Sequence, residues 1–139
     1  MPHAVKWLLE KRVIHTEVWG DNTLLEAYDL NRTLLNYLST GYAPVHVVQD
    51  TRQMISMPTS LLRLKEAFTY VNHPHLGWIT FIGQHTVGGA VLRAAARVIP
   101  TMRYRIFLTE QEAYRFLLSK DQSLEGLFTI TGEIKCPHS

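Results

Sequence analysis

A single cysteine, Cys136, stands in the 139 residues, so no internal disulfide can brace the fold. Packing must hold the chain together, and a reducing cytoplasm is the expected setting. Long apolar runs are missing as well. The best candidate, Leu76 to Gly83, is of strand length and far short of the ~18 residues that cross a bilayer. The start, Met1-Pro2-His3-Ala4-Val5-Lys6, lacks the apolar stretch of a secretory signal, so an integral membrane protein is not expected. Charge of one sign is scarce too: 14 basic and 12 acidic residues are scattered and leave a formal charge of +2. With no dense basic block, no nucleic-acid partner is expected. The motifs H-E-x-x-H, G-x-S-x-G, G-x-G-x-x-G and the Walker loop are all absent, and Cys136 with His138 makes only half a zinc site. No metal, no cofactor and no catalytic residue are expected.

What the chain does have is alternation of strand and helix patterns over a length suited to one core. Residues 6–19 divide at the charged triplet Glu10-Lys11-Arg12. The second arm then alternates Ile14, Thr16 and Val18 against His15, Glu17 and Trp19, which predicts a β-hairpin. Thr23-Leu24-Leu25-Glu26 has the spacing of a helix-opening capping box, and Leu24, Ala27, Tyr28, Leu34, Leu35 and Leu38 follow at helical period until Gly41.

Val45-His46-Val47-Val48-Gln49-Asp50 predicts a buried strand, Met54 to Met57 an irregular connection, and Leu61, Leu64, Phe68 and Val71 a helix ending near Asn72. Residues 77–83 predict the next strand, Val87 to Val98 a helix, Tyr104 to Leu108 a strand and Thr109 to Leu117 a last capped helix. Strands joined by single helices imply parallel pairing. The expected fold is therefore α/β, a mixed sheet with an antiparallel opening hairpin. One domain over residues 1–118 and a C-terminal tail over 119–139 are expected, with Leu127 to Thr131 as a further short strand in the tail.

This order of elements resembles the STAS-type fold, in particular its SpoIIAA-like branch, the anti-sigma factor antagonist type. The residues that carry it are Arg12-Val13-Ile14-His15-Thr16-Glu17-Val18-Trp19-Gly20-Asp21, the run Val45 to Asp50, and a helix opened by Pro58-Thr59-Ser60. The resemblance implies a small non-enzymatic regulatory or protein-interaction module with a protein partner. In the antagonists a serine within Asp-Ser-Ser-Gly, at a helix start, is phosphorylated. Pro58-Thr59-Ser60-Leu61 occupies that place here, which makes Ser60 and Thr59 the candidate phospho-acceptors. Helix capping by Thr59 or Ser56 is the plainer use of the same hydroxyls, and both readings stand.

Two candidate surfaces follow. Met54, Ile55 and Met57, apolar in the connection, would suit an adaptable partner surface. Alternatively, a small ligand, lipid or anion, would sit at the strand ends near Asp50, Gly83, His85 and Thr86. There the loop Gly83 to Gly89 could offer backbone N–H groups to an anion or simply allow close helix packing. His73-Pro74-His75 adds imidazoles in a loop, and Arg93 with Arg97 a basic helix face that is solvated or meets an acidic partner. The free edge of the hairpin could pair two copies into a homodimer.

Overall fold

The computed structural model describes residues 3–58, 60–83, 90, 93, 94, 96, 97, 99 and 102–124, and within them the alternating pattern becomes a five-stranded sheet. Strands β1 (His3–Leu9) and β2 (Val13–Asp21) form the antiparallel hairpin, with Ala4 opposite Glu17 and Lys6 opposite His15. The chain reverses at the predicted charged triplet, where Lys11 takes a φ of 66° and Arg12 N donates to Leu9 O.

Helix α1 (Leu24–Thr40) starts as the spacing predicts, with the Thr23 hydroxyl accepting from the Glu26 N–H at 3.2 Å. Leu30, Leu34 and Leu38 then bury one face. Gly41 ends the helix, although its φ of −84° is open to any residue. Space decides instead: a Cβ there would lie 2.6 Å from Val45 Cγ2 and 3.0 Å from the Trp7 ring.

The remaining elements are β3 (Val45–Ser56), α2 (Leu61–Ala67), β4 (Leu76–Ile82), β5 (Tyr104–Phe107) and α3 (Glu110–Lys120), and each of β3, β4 and β5 runs parallel to the strand before it. Sheet order equals chain order, β1-β2-β3-β4-β5, so the expected mixed α/β sheet is what forms. In the crossover from β4 to β5, residues Ala90, Arg93, Ala94, Ala96 and Arg97 are helical.

Because strand side chains alternate, the two sheet faces carry separate cores. Ile14, Val18, Val45, Val47, Ile79 and Phe81 pack with Leu30, Leu34 and Leu38 of α1 and with Tyr70 and Val71. On the other face Val13, Val48 and Ile82 meet Ala113, Tyr114 and Leu117 of α3. Leu34 and Leu117 are fully buried, and truncating such a leucine to alanine costs about 2–5 kcal/mol.

Two predicted boundaries are corrected. Met54 and Ile55 do not lie in an irregular connection; they belong to β3, which continues to Ser56 because β2 continues beside it, Gly20 opposite Met54 and Asp21 opposite Ser56. The register shifts twice along this stretch, and Gly20 takes a φ of 68° there. The helix expected to reach Asn72 stops at Ala67 and is followed by a 3-10 turn, Thr69–Asn72. Asn31 of α1 is the cause: its Oδ1 accepts from Tyr70 N at 2.8 Å and its Nδ2 donates to Thr69 Oγ1 at 2.9 Å, drawing that backbone out of the helix.

Beyond α3, a buried polar cluster ties down the chain. His46 Nδ1 accepts from Trp78 N at 2.9 Å, which leaves the proton on Nε2 to be donated to Asp121 Oδ2 at 2.8 Å. Arg12 Nη2 reaches the same carboxylate at 2.7 Å, and Leu124 is fully buried. These contacts lie past Leu118, within the stretch that the sequence pattern assigned to the tail. The expected strand Leu127 to Thr131 lies outside the described residues.

Candidate functional site

An apolar cavity of about 60 Å³ lies between the sheet and α1. It forms where β4 ends and β3 runs on. Asp50 is the last β3 residue paired with β4, opposite Ile82, and Thr51 and Met54 lie beyond it. Val18, Gln49, Thr51 and Phe81 contribute from the sheet, Glu26, Ala27 and Leu30 from α1, Leu64 from α2, and Phe68, Tyr70 and Val71 from the segment behind it. Asn22, Met57 and Pro58 complete one side, Ile99 and Met102 another. A space of this size has room for about four water-sized groups.

Among its polar atoms are acceptors without a partner. Gln49 is only 8 % exposed, and its Oε1 has no hydrogen-bond partner among the described residues. Glu26 Oε2 is buried in the same condition. Asn22 spends its Nδ2 on the carbonyls of Trp19 and Gly20, at 3.2 and 3.3 Å, and so has its Oδ1 left to offer. Thr51 spends its hydroxyl proton on Ile82 O at 2.9 Å. Burial alone pushes the Tyr70 phenol above its ordinary pKa, so it stays protonated in the physiological range. His3 lies near Glu26; burial lowers its pKa against the pull of Asp29 and Glu26.

Asp50, proposed from the sequence for a ligand pocket, points to the opposite face. Its Oδ1 accepts from Arg52 N and Arg52 Nε, both at 3.0 Å, and its Oδ2 from Arg52 Nη2 at 2.8 Å. Arg52 also meets Glu110 Oε1 of α3 at 2.8 Å, and Glu110 Oε2 accepts from the Tyr114 hydroxyl. Burial by itself would raise the Asp50 pKa, but the Arg52 hydrogen bonds hold it below the ordinary carboxylate value. This carboxylate joins β3 to α3. Gly83, with its N–H donated to Phe107 O at 2.9 Å, ends β4 near Asp50, yet neither residue lines the cavity. His85 and Thr86 lie outside the described residues.

The proposed partner segment divides. Met54 is buried in the core and lines the cavity, Met57 is half-buried on the same cavity, and Ile55 is 66 % exposed. Ser60 is exposed and is itself the cap of α2, its Oγ accepting from Arg63 N at 3.4 Å. Ser56, offered as a capping residue, instead donates to Asp21 Oδ1 at 2.6 Å. Thr59 lies outside the described residues.

Gln49 and Tyr70 were not singled out in the sequence, and Glu26 only as the last residue of the capping box. A signal for Gln49 and Thr51 was present: after Val45 and Val47 the inward-facing positions of β3 turn polar, which a pure packing strand does not need. Nothing local could have announced Glu26 or Tyr70, whose places depend on how α1 docks.

No protein-family model matches the chain, and no curated protein does. Among solved structures, the chain is similar to an uncharacterised protein of the DUF3478 family from Shewanella loihica PV-4, described as having a SpoIIAA-like fold. The two share 13 % identity over 83 % of this chain and 91 % of that one, with a TM-score of 0.59. The fold is SpoIIAA-like, as the order of elements in the sequence implied.

Proposed function

We propose that this chain is a non-enzymatic binding module that takes a small, mainly apolar molecule into the cavity between the sheet and α1. One observation carries the reading: Gln49, in the cavity wall, keeps its Oε1 buried without a donor among the described residues. Burying a polar atom unpaired costs about 1–3 kcal/mol, a cost that a bound molecule with an N–H or O–H would recover. The apolar walls supply affinity and the amide supplies orientation. The Asp50–Arg52–Glu110 cluster supports no catalytic role, since its charges satisfy one another.

Native mass spectrometry of freshly purified protein tests the proposal, with an Ala27→Phe variant that fills the cavity. Wild-type protein should carry a small adduct, released on gentle activation, and the variant should not. Equal adducts on both proteins would place the molecule elsewhere.

A second reading, the regulatory module with a protein partner, has the support of Ile55 and Leu62, 66 % and 67 % exposed on the two elements that flank Ser60. A pull-down with wild-type, Ile55→Asp and Ser60→Glu proteins tests it. A partner should be lost with the first variant and altered with the second; identical recovery from all three counts against it. Strand β1, an edge of the described sheet, is where a second copy would pair, and sedimentation at two concentrations would reveal such a dimer.

A further inference from the structure

We infer that the ligand of this cavity is a short protonated amine, and not a fatty acid or another anion; this rests on the cavity being a binding site at all. Three features of the lining point to a cation with several donors. Gln49 Oε1 and Glu26 Oε2, on two residues of the wall, are buried without a partner among the described residues and need only turn toward a ligand, and Asn22, its donors spent, has an Oδ1 to offer. An ammonium group has three N–H donors and no acceptor, so it fits this set in number and in kind.

Aromatic faces are the second feature. Phe68, Tyr70 and Phe81 all line the cavity, with Phe68 and Tyr70 edge-to-face at 6.0 Å between ring centroids. Rings attract a cation to their faces, an attraction that grows when water is excluded. The same ring faces are negative and repel a carboxylate or phosphate.

Charge is the third. Among the described residues no Lys or Arg lines the cavity and no ion pair reaches Glu26. A carboxylate ligand would meet the Glu26 charge with no cation between them. A protonated amine would pair with it, and the alkyl part would lie along Ala27, Leu30, Met54 and Leu64. With room for about four water-sized groups, the cavity suits a chain of roughly four or five carbons.

The test titrates 15N-labelled protein with n-pentylamine, n-pentanol and pentanoate at neutral pH, following the amides of Thr51, Met54 and Tyr70. Pentylamine should bind about tenfold or more tighter than pentanol, as a charge-assisted hydrogen bond implies, and pentanoate should not bind. In a Glu26→Gln variant pentylamine should lose its advantage and bind no tighter than pentanol. A Gln49→Leu variant should weaken both. If pentanol binds but pentanoate matches pentylamine, or Glu26→Gln leaves pentylamine unaffected, the amine assignment is wrong and the apolar-ligand reading stands. If none of the three shifts these amides, both fall.

Discussion

Gly77 has no side chain because the His46 imidazole stands where one would be: a Cβ at position 77 would lie 2.5 Å from both Nδ1 and Cε1 of that ring. The closeness lets the adjacent Trp78 N–H reach His46 Nδ1. Gly77→Ala should therefore push the ring off its acceptor position and destabilise the protein by about 1–3 kcal/mol, the usual range for overpacking. Denaturant unfolding checks this. A variant as stable as wild type would mean that the ring can yield at no cost.

Acid should unfold the protein through the same histidine. Burial lowers the His46 pKa below the ordinary 6.5, against the raising effect of Asp121. The unfolded chain then takes up the proton first, so the contribution is intact above 6.5 and is lost as pH falls through the folded value. His3, His15 and His73 are also lowered, burial being the largest cause in each. Burial opposes ionisation of Asp121, but hydrogen bonds from Ser123 and His46 hold its pKa below 3.8, which adds a further loss in stronger acid. Thermal melts should be level above pH 6.5 and decline below it. His46→Leu should melt lower throughout, with a shallower decline; an unchanged slope would remove His46 from the account.

Asn31→Ala should cost about 1–3 kcal/mol, because it strands the Tyr70 N–H in a buried position. Since that bond also holds the turn at residues 69–72, amide exchange should quicken there before it does in β3. Uniform acceleration would show instead a global loss of stability.

Gln49→Leu should do the opposite in ligand-free protein. Removing a buried oxygen with no donor, at similar volume, should leave stability equal or raise it by about 1–3 kcal/mol, while weakening ligand binding. A gain in stability with a loss of binding is what a binding residue shows and what a packing residue does not. A clear fall in the melting temperature would contradict the role given to Gln49.

Much of the fold was legible because its signals are local. Thr23 and Thr109 cap the helices their spacing announces, accepting from Glu26 N and Glu112 N at 3.2 Å. Alternation at Ile14 and Val18, and the β-branched run at Val45 to Val48, placed the strands. What could not be read depends on partners far along the chain. The end of α2 is set by Asn31, and the length of β3 by how far β2 runs beside it. Asp50 sat at the end of a buried run and so looked available, but its partner Arg52 and their neighbour Glu110 become visible only once α3 has packed. The cavity was not legible for a related reason: successive residues alternate faces, so Gln49 and Thr51 open onto a space that Asp50 does not line.

Strand β3 has neighbours on both sides from Val45 to Asp50 but pairs only with β2 from Thr51 to Ser56 among the described residues. One continuous strand therefore joins a rigid half to a loosely held half, and the loose half forms a wall of the cavity. Local opening breaks the backbone bonds to β2 over that stretch, the side-chain bonds of Thr51, Arg52 and Ser56 and the burial of Met54, a smaller cost than unfolding the sheet. A molecule could enter by the brief lifting of this half-strand, with Met54 leaving the core as it lifts, so exchange at Met54 would report the opening of the door.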